Sequence, residues 1–88
     1  MKIKSGFVTR KIGDKIVGVA VGKRTEEFNG MITLNETAQF IWKCLEKDTD
    51  VDKVISKVIK EYDIDENMAV KAVNDFVEQL KNYNLLDE

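Results

Sequence analysis

The fold of this chain is decided where an alternating strand pattern runs directly into a helical one, in the stretch Gly30-Met31-Ile32-Thr33-Leu34-Asn35-Glu36-Thr37-Ala38-Gln39-Phe40-Ile41-Trp42. Residues 31–34 alternate with a period of two, which is typical of a half-buried strand. Asn35 is a favoured N-cap, because its side-chain oxygen can accept from the free N–H groups of a first helical turn. The apolar residues that follow have helical spacing: Ala38, Ile41, Trp42 and Leu45. We therefore expect a strand and a helix joined at a fixed angle, with Trp42 buried.

Two more strands are expected before this junction. Residues 7–12 and 15–21 are strand candidates, and Gly13-Asp14 between them favours a tight hairpin turn. The segment 22–29 is polar and charged, so it is expected to be a connecting loop. The first half of the chain thus predicts a three-stranded antiparallel sheet.

Three helices are expected after the sheet, over residues 36–46, 51–62 and 66–83. The stretch Thr49-Asp50-Val51-Asp52 supplies an N-cap and first-turn acids for the second helix, and Asp65 caps the third. The second helix carries an apolar stripe: Val51, Val54, Ile55, Val58, Ile59 and Tyr62. Leu85 and Leu86 are expected to fold back on the core. The order βββααα predicts an α+β fold, a three-stranded antiparallel sheet followed by three helices, that forms one domain over residues 1–88.

The composition excludes several classes of function. The 88 residues include no histidine and one cysteine, Cys44, so the commonest general base and metal ligand is missing and no disulfide can form within the chain. We expect that the chain catalyses no reaction of its own and binds no metal or cofactor. Cys44 is expected to be half-buried, and the chain is expected to reside in a reducing cytoplasm. The longest apolar run, residues 16–21, is far too short to cross a membrane.

Charge is distributed unevenly along the chain. Residues 1–24 hold seven Lys or Arg and one acid, for a formal charge of +6, whereas residues 25–64 and 65–88 each carry −4. Such asymmetry usually records which faces are solvated, and less often a binding surface.

The third helix has more apolar surface than one contact needs. Six residues form its expected core stripe: Ala69, Ala72, Val73, Phe76, Leu80 and Tyr83. Val70 and Val77 lie on one flank of this stripe, beside Asn74 and Lys81. They either pack on the first helix or on the Leu85-Leu86 segment, or they form the floor of an exposed groove.

The third strand raises a related possibility. In a three-stranded sheet paired in chain order, residues 31–34 form an edge, and they include no Lys or Pro to guard it. An unguarded edge beside an apolar helix flank can accept an extended peptide as an added strand. The candidate peptide-binding residues are Met31, Ile32, Thr33, Leu34, Val70, Val73, Asn74, Val77 and Lys81.

Nearly the whole chain resembles the family of pyrroloquinoline quinone biosynthesis protein D, the PqqD-like peptide chaperones. The resemblance rests on Leu34-Asn35-Glu36-Thr37-Ala38 after the third strand, Ile41-Trp42, and Thr49 with Val54-Ile55. It continues through residues 61–65 and the closing run Val73, Phe76, Val77, Leu80, Leu85 and Leu86. One departure is Ala72, where the family often has an acid before the valine of the third helix, so the contact that this acid makes cannot be carried over.

The resemblance implies a small winged helix-turn-helix fold that binds the leader segment of a ribosomally made precursor peptide. It implies that the leader adds to the third strand and rests against the third helix. The implied partners are that precursor and a modifying enzyme, often a radical S-adenosylmethionine enzyme. Neither nucleic acid nor membrane is expected as a partner, and the chain is expected to be a monomer or a weak or domain-swapped homodimer.

Two alternatives stay open at this point. Three helices and a small sheet also describe a winged helix-turn-helix DNA-binding regulator, although the second helix is near-balanced in charge and residues 65–88 are acidic, which disfavours phosphate binding. The chain could also be a structural subunit that docks on a larger enzyme without recognising a peptide.

Overall fold

The computed structural model describes residues 1–87, which form five strands and three helices around one apolar core. In chain order the elements are β1 (Lys2–Ile3), β2 (Phe7–Ile12), β3 (Lys15–Ala20), β4 (Met31–Leu34), α1 (Glu36–Leu45), α2 (Val51–Tyr62), α3 (Glu66–Asn82) and β5 (Leu86–Asp87). Residues 22–26 form a 3-10 turn inside the segment that the sequence predicts as a loop. The predicted α+β fold, a three-stranded antiparallel sheet followed by three helices, is confirmed.

The main sheet has the order β2-β3-β4, with both pairs antiparallel. The hairpin turn between β2 and β3 is the predicted Gly13-Asp14, where Gly13 has a φ of 63° that suits glycine at the first central position of a type II′ turn. In the register, Val8 pairs with Val19, and Val19 in turn pairs with Met31. The sheet order leaves β2 and β4 as its two edges.

Each helix begins at the expected cap. The N–H of Ala38 donates to Asn35 Oδ1 at 2.8 Å, and the N–H of Lys53 donates to Asp50 Oδ1 at 2.9 Å. Asp65 accepts from the N–H of Asn67 at 3.2 Å. Because no residue separates Leu34, the last of β4, from the cap of α1, sheet and helix are held at a fixed angle.

The two ends of the chain pair with each other, which the sequence analysis missed. Lys2 and Ile3 in β1 face Asp87 and Leu86 in β5 as a second, two-stranded sheet. The chain reaches β5 through Asn84, whose φ of 61° ends α3 while the N–H of Leu85 donates to the Leu80 carbonyl. The expected return of Leu85 and Leu86 to the core is confirmed, since both are buried.

Helix α3 is rotated relative to the predicted stripe. Val73 and Leu80 are buried as expected, but Val77 is buried as well and only 4% exposed. The prediction that Tyr83 lies in the core is wrong, because its side chain is 46% exposed. At 100° of rotation per residue, the centre of the buried arc of α3 lies roughly 40° from the centre of the predicted stripe, on the side of Val77. None of the helices within residues 1–87 is long and apolar enough to span a bilayer.

Trp42 lies at the centre of the core, as predicted, with 2% of its surface exposed. Its ring faces Gly18 of β3 so closely that a Cβ at Gly18 would lie 2.8 Å from Trp42 Cζ3. Gly18, Ile32 and Leu34 therefore mark the inner face of the sheet, the face that packs against the helices.

Candidate functional site

A groove lies between the outer edge of the sheet and one flank of α3. It has a volume of about 290 Å³. One wall comes from β4 and the start of α1, and the other from α3. Its lining residues are Thr33, Asn35, Thr37, Ala38, Ile41, Ala72, Asp75, Phe76 and Gln79.

The outer edge of β4 presents unpaired backbone groups to this groove. The N–H of Val21 donates to the Gly6 carbonyl at 2.8 Å. Gly6 and Val21 are therefore a hydrogen-bonded pair, and they adjoin the pair Phe7 and Ala20 in the ladder. Bonded and non-bonded pairs alternate along an antiparallel ladder, so β3 directs the backbone of Gly18 and Ile16 towards β4.

On β4 the same alternation settles which groups point outward. Ile32 and Leu34 lie opposite Gly18 and Ile16, so their N–H and C=O groups bond to β3. The N–H and C=O groups of Met31 and Thr33 consequently point away from the sheet. No other strand within residues 1–87 pairs with this side of β4. The edge therefore offers two donors and two acceptors to an incoming chain.

The α3 wall combines an apolar floor with a polar rim. Ile41 and Phe76 are buried beneath the groove, and Ala72 is half-buried, which leaves room above the helix. At the rim, Asp75 Oδ2 accepts from Lys71 Nζ at 2.8 Å, and this hydrogen bond raises the pKa of Lys71. Small and polar side chains at this flank let another backbone approach closely.

An aromatic cluster that does not line the groove joins β2, the segment before β4 and the end of α3. The rings of Phe28 and Tyr83 lie 5.2 Å apart at 57°, and Phe28 also contacts Phe7 with ring centroids 6.3 Å apart. Tyr83 thus packs on the connecting segment rather than in the core.

The structure separates the sequence-predicted site residues into three groups. Met31 and Thr33 are exposed along the open edge, whereas Ile32, Leu34, Val73 and Val77 are buried. Val70 is half-buried, and Asn74 and Lys81 are exposed, on the opposite flank of α3 from the groove. Val77 packs in the core, which was one of the two alternatives. A side chain that is 4% exposed cannot be the floor of an open groove.

Sequence reasoning missed the residues of the α3 wall, namely Ala72, Asp75, Phe76 and Gln79 as a unit. The sequence did hold a signal for this wall: Ala72, Asp75 and Gln79 are small or polar residues that recur every three to four positions on one flank of the helix. The hairpin also carried information, because a two-residue turn fixes which residues of β3 bond to β2 and hence which residues of β4 face outward.

A second concavity lies between α1 and α2. Phe40 and Cys44 line it together with four lysines: Lys43, Lys47, Lys53 and Lys57. Cys44 is half-buried as expected, and burial raises the pKa of its thiol while the nearby Lys57 acts in the opposite sense. This basic surface is on a different flank of α1 from the groove.

An open sheet edge facing a helix-walled groove is the geometry of domains that accept an extended chain as an extra strand. The family model of coenzyme PQQ synthesis protein D (PqqD) matches residues 18–86. The chain belongs to this family.

One solved structure shares the fold. It is described as TbiB1 in complex with the TbiA(beta) leader peptide, with a TM-score of 0.75 over 99% of this chain and 95% of that chain, at 24% sequence identity. No curated protein matches the chain.

Proposed function

We propose that this protein binds the leader segment of a ribosomally made precursor peptide as a fourth strand on β4 and presents the precursor to a modifying enzyme. The observation that carries the proposal is the open edge, where the N–H and C=O groups of Met31 and Thr33 point towards a groove walled by α3. Main-chain bonds to these groups would supply affinity, and the groove would select side chains. Family membership and the TbiB1 structure, which holds a leader peptide, both support this proposal.

The side chains of the added strand would alternate between two environments. Every second one would point into the groove, over Ile41, Ala72 and Phe76, and the others would lie on the outer side of the sheet. The proposed contact surface therefore keeps Met31, Thr33 and the β4 backbone and adds the α3 flank that faces them. The earlier expectation that Val70, Asn74 and Lys81 contact the peptide stays a prediction.

The chain itself would act without catalysis and without a cofactor, as a single domain in the cytoplasm. A separate enzyme, which we propose to be a radical S-adenosylmethionine enzyme, would carry out the modification. A ladder of backbone hydrogen bonds depends little on ionic strength, so binding should be weakly sensitive to salt and driven by enthalpy.

DNA binding is the weaker alternative. A DNA reader needs a basic recognition helix, but the α3 segment, residues 65–88, carries a formal charge of −4. Binding of duplex DNA with a steep salt dependence would favour this alternative over peptide recognition.

The decisive experiment is titration calorimetry with synthetic peptides that copy the leaders of candidate precursors, which are short open reading frames sought in the neighbourhood of the gene. Thr33→Pro removes an outward N–H and should weaken leader binding by about tenfold or more, while the free energy of unfolding stays within about 1 kcal/mol of wild type. Thr33→Ala keeps the N–H and is the matched control, with affinity close to wild type.

Ile32→Pro tests which N–H groups of β4 bond to β3 and which point outward. Its N–H bonds to β3, so this variant should lose about 3 kcal/mol or more of stability. Undetectable binding of the leader to folded wild-type protein at high micromolar concentration would contradict the proposed function. Equal leader affinity for Thr33→Pro and wild type would contradict strand addition at β4.

A further inference from the structure

The outer face of the main sheet carries an apolar surface that no helix or strand of residues 1–87 covers. Gly18 and Ile32 face Trp42 and the helices, so the alternate residues of each strand face the other way. Val8, Val19 and Met31 form one cross-strand row on this side, and Ile12 lies near the hairpin turn. Val8, Ile12 and Met31 are among the large apolar side chains that remain exposed.

Val17 stands in the middle of this outer face. It is only 4% exposed, yet it is absent from the cluster of residues that forms the main core. Its partners in the register are Arg10 on one side and Thr33 on the other. Neighbours on the outer face therefore shield it, and together Val8, Ile12, Val17, Val19 and Met31 make up what we call the outer-face patch. On the same face Arg10 lies between Val8 and Ile12, and Lys15 lies opposite Ile12, so the exposed apolar side chains are interleaved with basic ones. Exposed apolar surface rimmed by polar residues marks interaction sites in soluble proteins.

Basic side chains surround one end of the patch. Arg10 and Lys15 of the β2–β3 hairpin lie on the outer face, whereas Lys11 pairs with Ile16 and lies on the inner face. Neither Arg10 nor Lys15 forms an ion pair with another residue in the described part of the chain. They belong to the segment 1–24 with its formal charge of +6. Unpaired positive charge beside apolar surface is complementary to a partner whose apolar area is rimmed by carboxylates.

The patch is also continuous with the peptide-binding edge, a step that rests on the proposed function. Met31 belongs to both, because its side chain lies on the outer face while its backbone N–H and C=O point to the edge. A leader strand added to β4 would place every second side chain on the outer face beside Met31. A partner that covers the patch would therefore contact the bound leader as well.

The size of the patch indicates what kind of partner can use it. Two six-residue strands and one four-residue strand, at the usual rise and strand spacing, give a face of roughly 250 Å², well below the roughly 800 Å² per partner of a stable interface. A second copy of the chain seated on this face alone would be held weakly. A larger partner could reach the hairpin and the leader strand at the same time and so bury enough surface.

We propose that the outer-face patch is where the peptide-modifying enzyme docks, through an apolar area rimmed by carboxylates, and that the bound leader strand completes the docking surface. The enzyme then binds the leader-loaded protein more tightly than the free protein. This arrangement directs the enzyme to molecules that carry a precursor, because the unloaded patch offers too little surface.

The test uses the double variant Val8→Glu/Ile12→Glu, whose positions are exposed and lie outside the groove. The binding partner is a candidate peptide-modifying enzyme sought in the neighbourhood of the gene, titrated against the protein with and without the synthetic leader. For wild type, the leader should tighten enzyme binding by about tenfold or more. The variant should bind leader within about twofold of wild type, keep its thermal midpoint, and lose at least about tenfold in enzyme affinity.

Ser56→Glu/Asn67→Glu is the matched control, because it adds the same two negative charges at exposed positions of α2 and α3. It should bind enzyme like wild type. Equal enzyme affinity for the patch variant and wild type overturns the docking proposal, and so does an equal loss in the control. Concentration-dependent dimerisation of wild type that the patch variant abolishes would identify a second copy as the occupant. Failure of wild type to bind leader is a separate result, which overturns the proposed function.

Discussion

Gly18 shows how a single residue can determine the packing between the sheet and the helices. Its missing Cβ lets the Trp42 ring lie directly against β3, where any added methyl would be 2.8 Å from Cζ3 and 2.9 Å from Cη2. Glycine weakens a strand, so its presence in the middle of β3 follows from this close approach. Because the indole ring packs directly against the backbone at Gly18, no larger residue fits at this position.

We predict that Gly18→Ala lowers the free energy of unfolding by about 1–3 kcal/mol, because the methyl group overpacks the Trp42 ring. Gly30→Ala is the control, since a Cβ there would meet Phe28 Cζ at an ordinary 3.5 Å. It should change stability by no more than about 1 kcal/mol. Urea denaturation of both variants checks the prediction, and a Gly18→Ala protein as stable as wild type would contradict it.

Residues on the two flanks of α3 should respond in opposite ways to substitution. Val77→Asp places an unpaired carboxylate in the core and should cost about 3 kcal/mol or more of stability. Ala72→Arg instead extends a long side chain over the groove, where Asp75 can pair with it. Its stability should stay within about 0.5 kcal/mol of wild type while leader affinity falls by about tenfold or more.

Thermal melting and leader calorimetry on both variants separate these effects. A stable Val77→Asp protein with weakened leader binding would return the groove to the flank of Val70 and Asn74. Unchanged leader affinity in Ala72→Arg would remove the α3 flank from the binding site.

At the scale of the elements, the sequence predicted the main strands and helices because caps and periodicity are local signals. Asn35, Asp50 and Asp65 cap the helices as expected, and the β2–β3 turn lies where Gly13-Asp14 predicted it. The rotation of α3 could not be predicted in this way. Its apolar residues span a wide arc, and only the position of the helix relative to the sheet and α1 decides which part of that arc is buried.

Pairing between β1 and β5 escaped prediction for a different reason. Two-residue strands have no measurable periodicity, and their partners lie at opposite ends of the chain. Ile3 nevertheless belongs to the core, and the N–H of Lys4 donates to the Leu85 carbonyl at 2.8 Å. The small sheet therefore fixes the segment that follows α3.

We predict that Ile3→Ala lowers the free energy of unfolding by about 2 kcal/mol or more, since Ile3 is 7% exposed and its loss leaves a cavity between β1 and β5. Lys2→Ala, at the exposed neighbouring position, should change stability by less than about 0.5 kcal/mol. Chemical denaturation provides the measurement. Equal stability of the two variants would show that the end-to-end sheet adds nothing to the fold.

At the scale of the whole molecule, charge is separated between the two proposed surfaces. The hairpin beside the outer-face patch belongs to the +6 segment, whereas the α3 wall of the groove lies in the −4 segment of residues 65–88. A leader held by backbone hydrogen bonds should be largely indifferent to added salt. Docking of an enzyme that is attracted by Arg10 and Lys15 should depend on salt, because screening shortens the reach of exposed charges.

We therefore predict that raising the salt concentration from about 0.05 to 0.5 M changes leader affinity by less than about threefold but weakens enzyme docking by about tenfold or more. Arg10→Gln/Lys15→Gln should reduce the salt dependence of enzyme docking and leave leader binding unchanged, because both side chains lie on the outer face and outside the groove. Calorimetry at several salt concentrations measures both affinities on the same protein. Steep salt dependence of leader binding would mean that side-chain charges, and not the β4 ladder, hold the peptide. A flat salt profile for the enzyme would remove the hairpin charges from the docking surface.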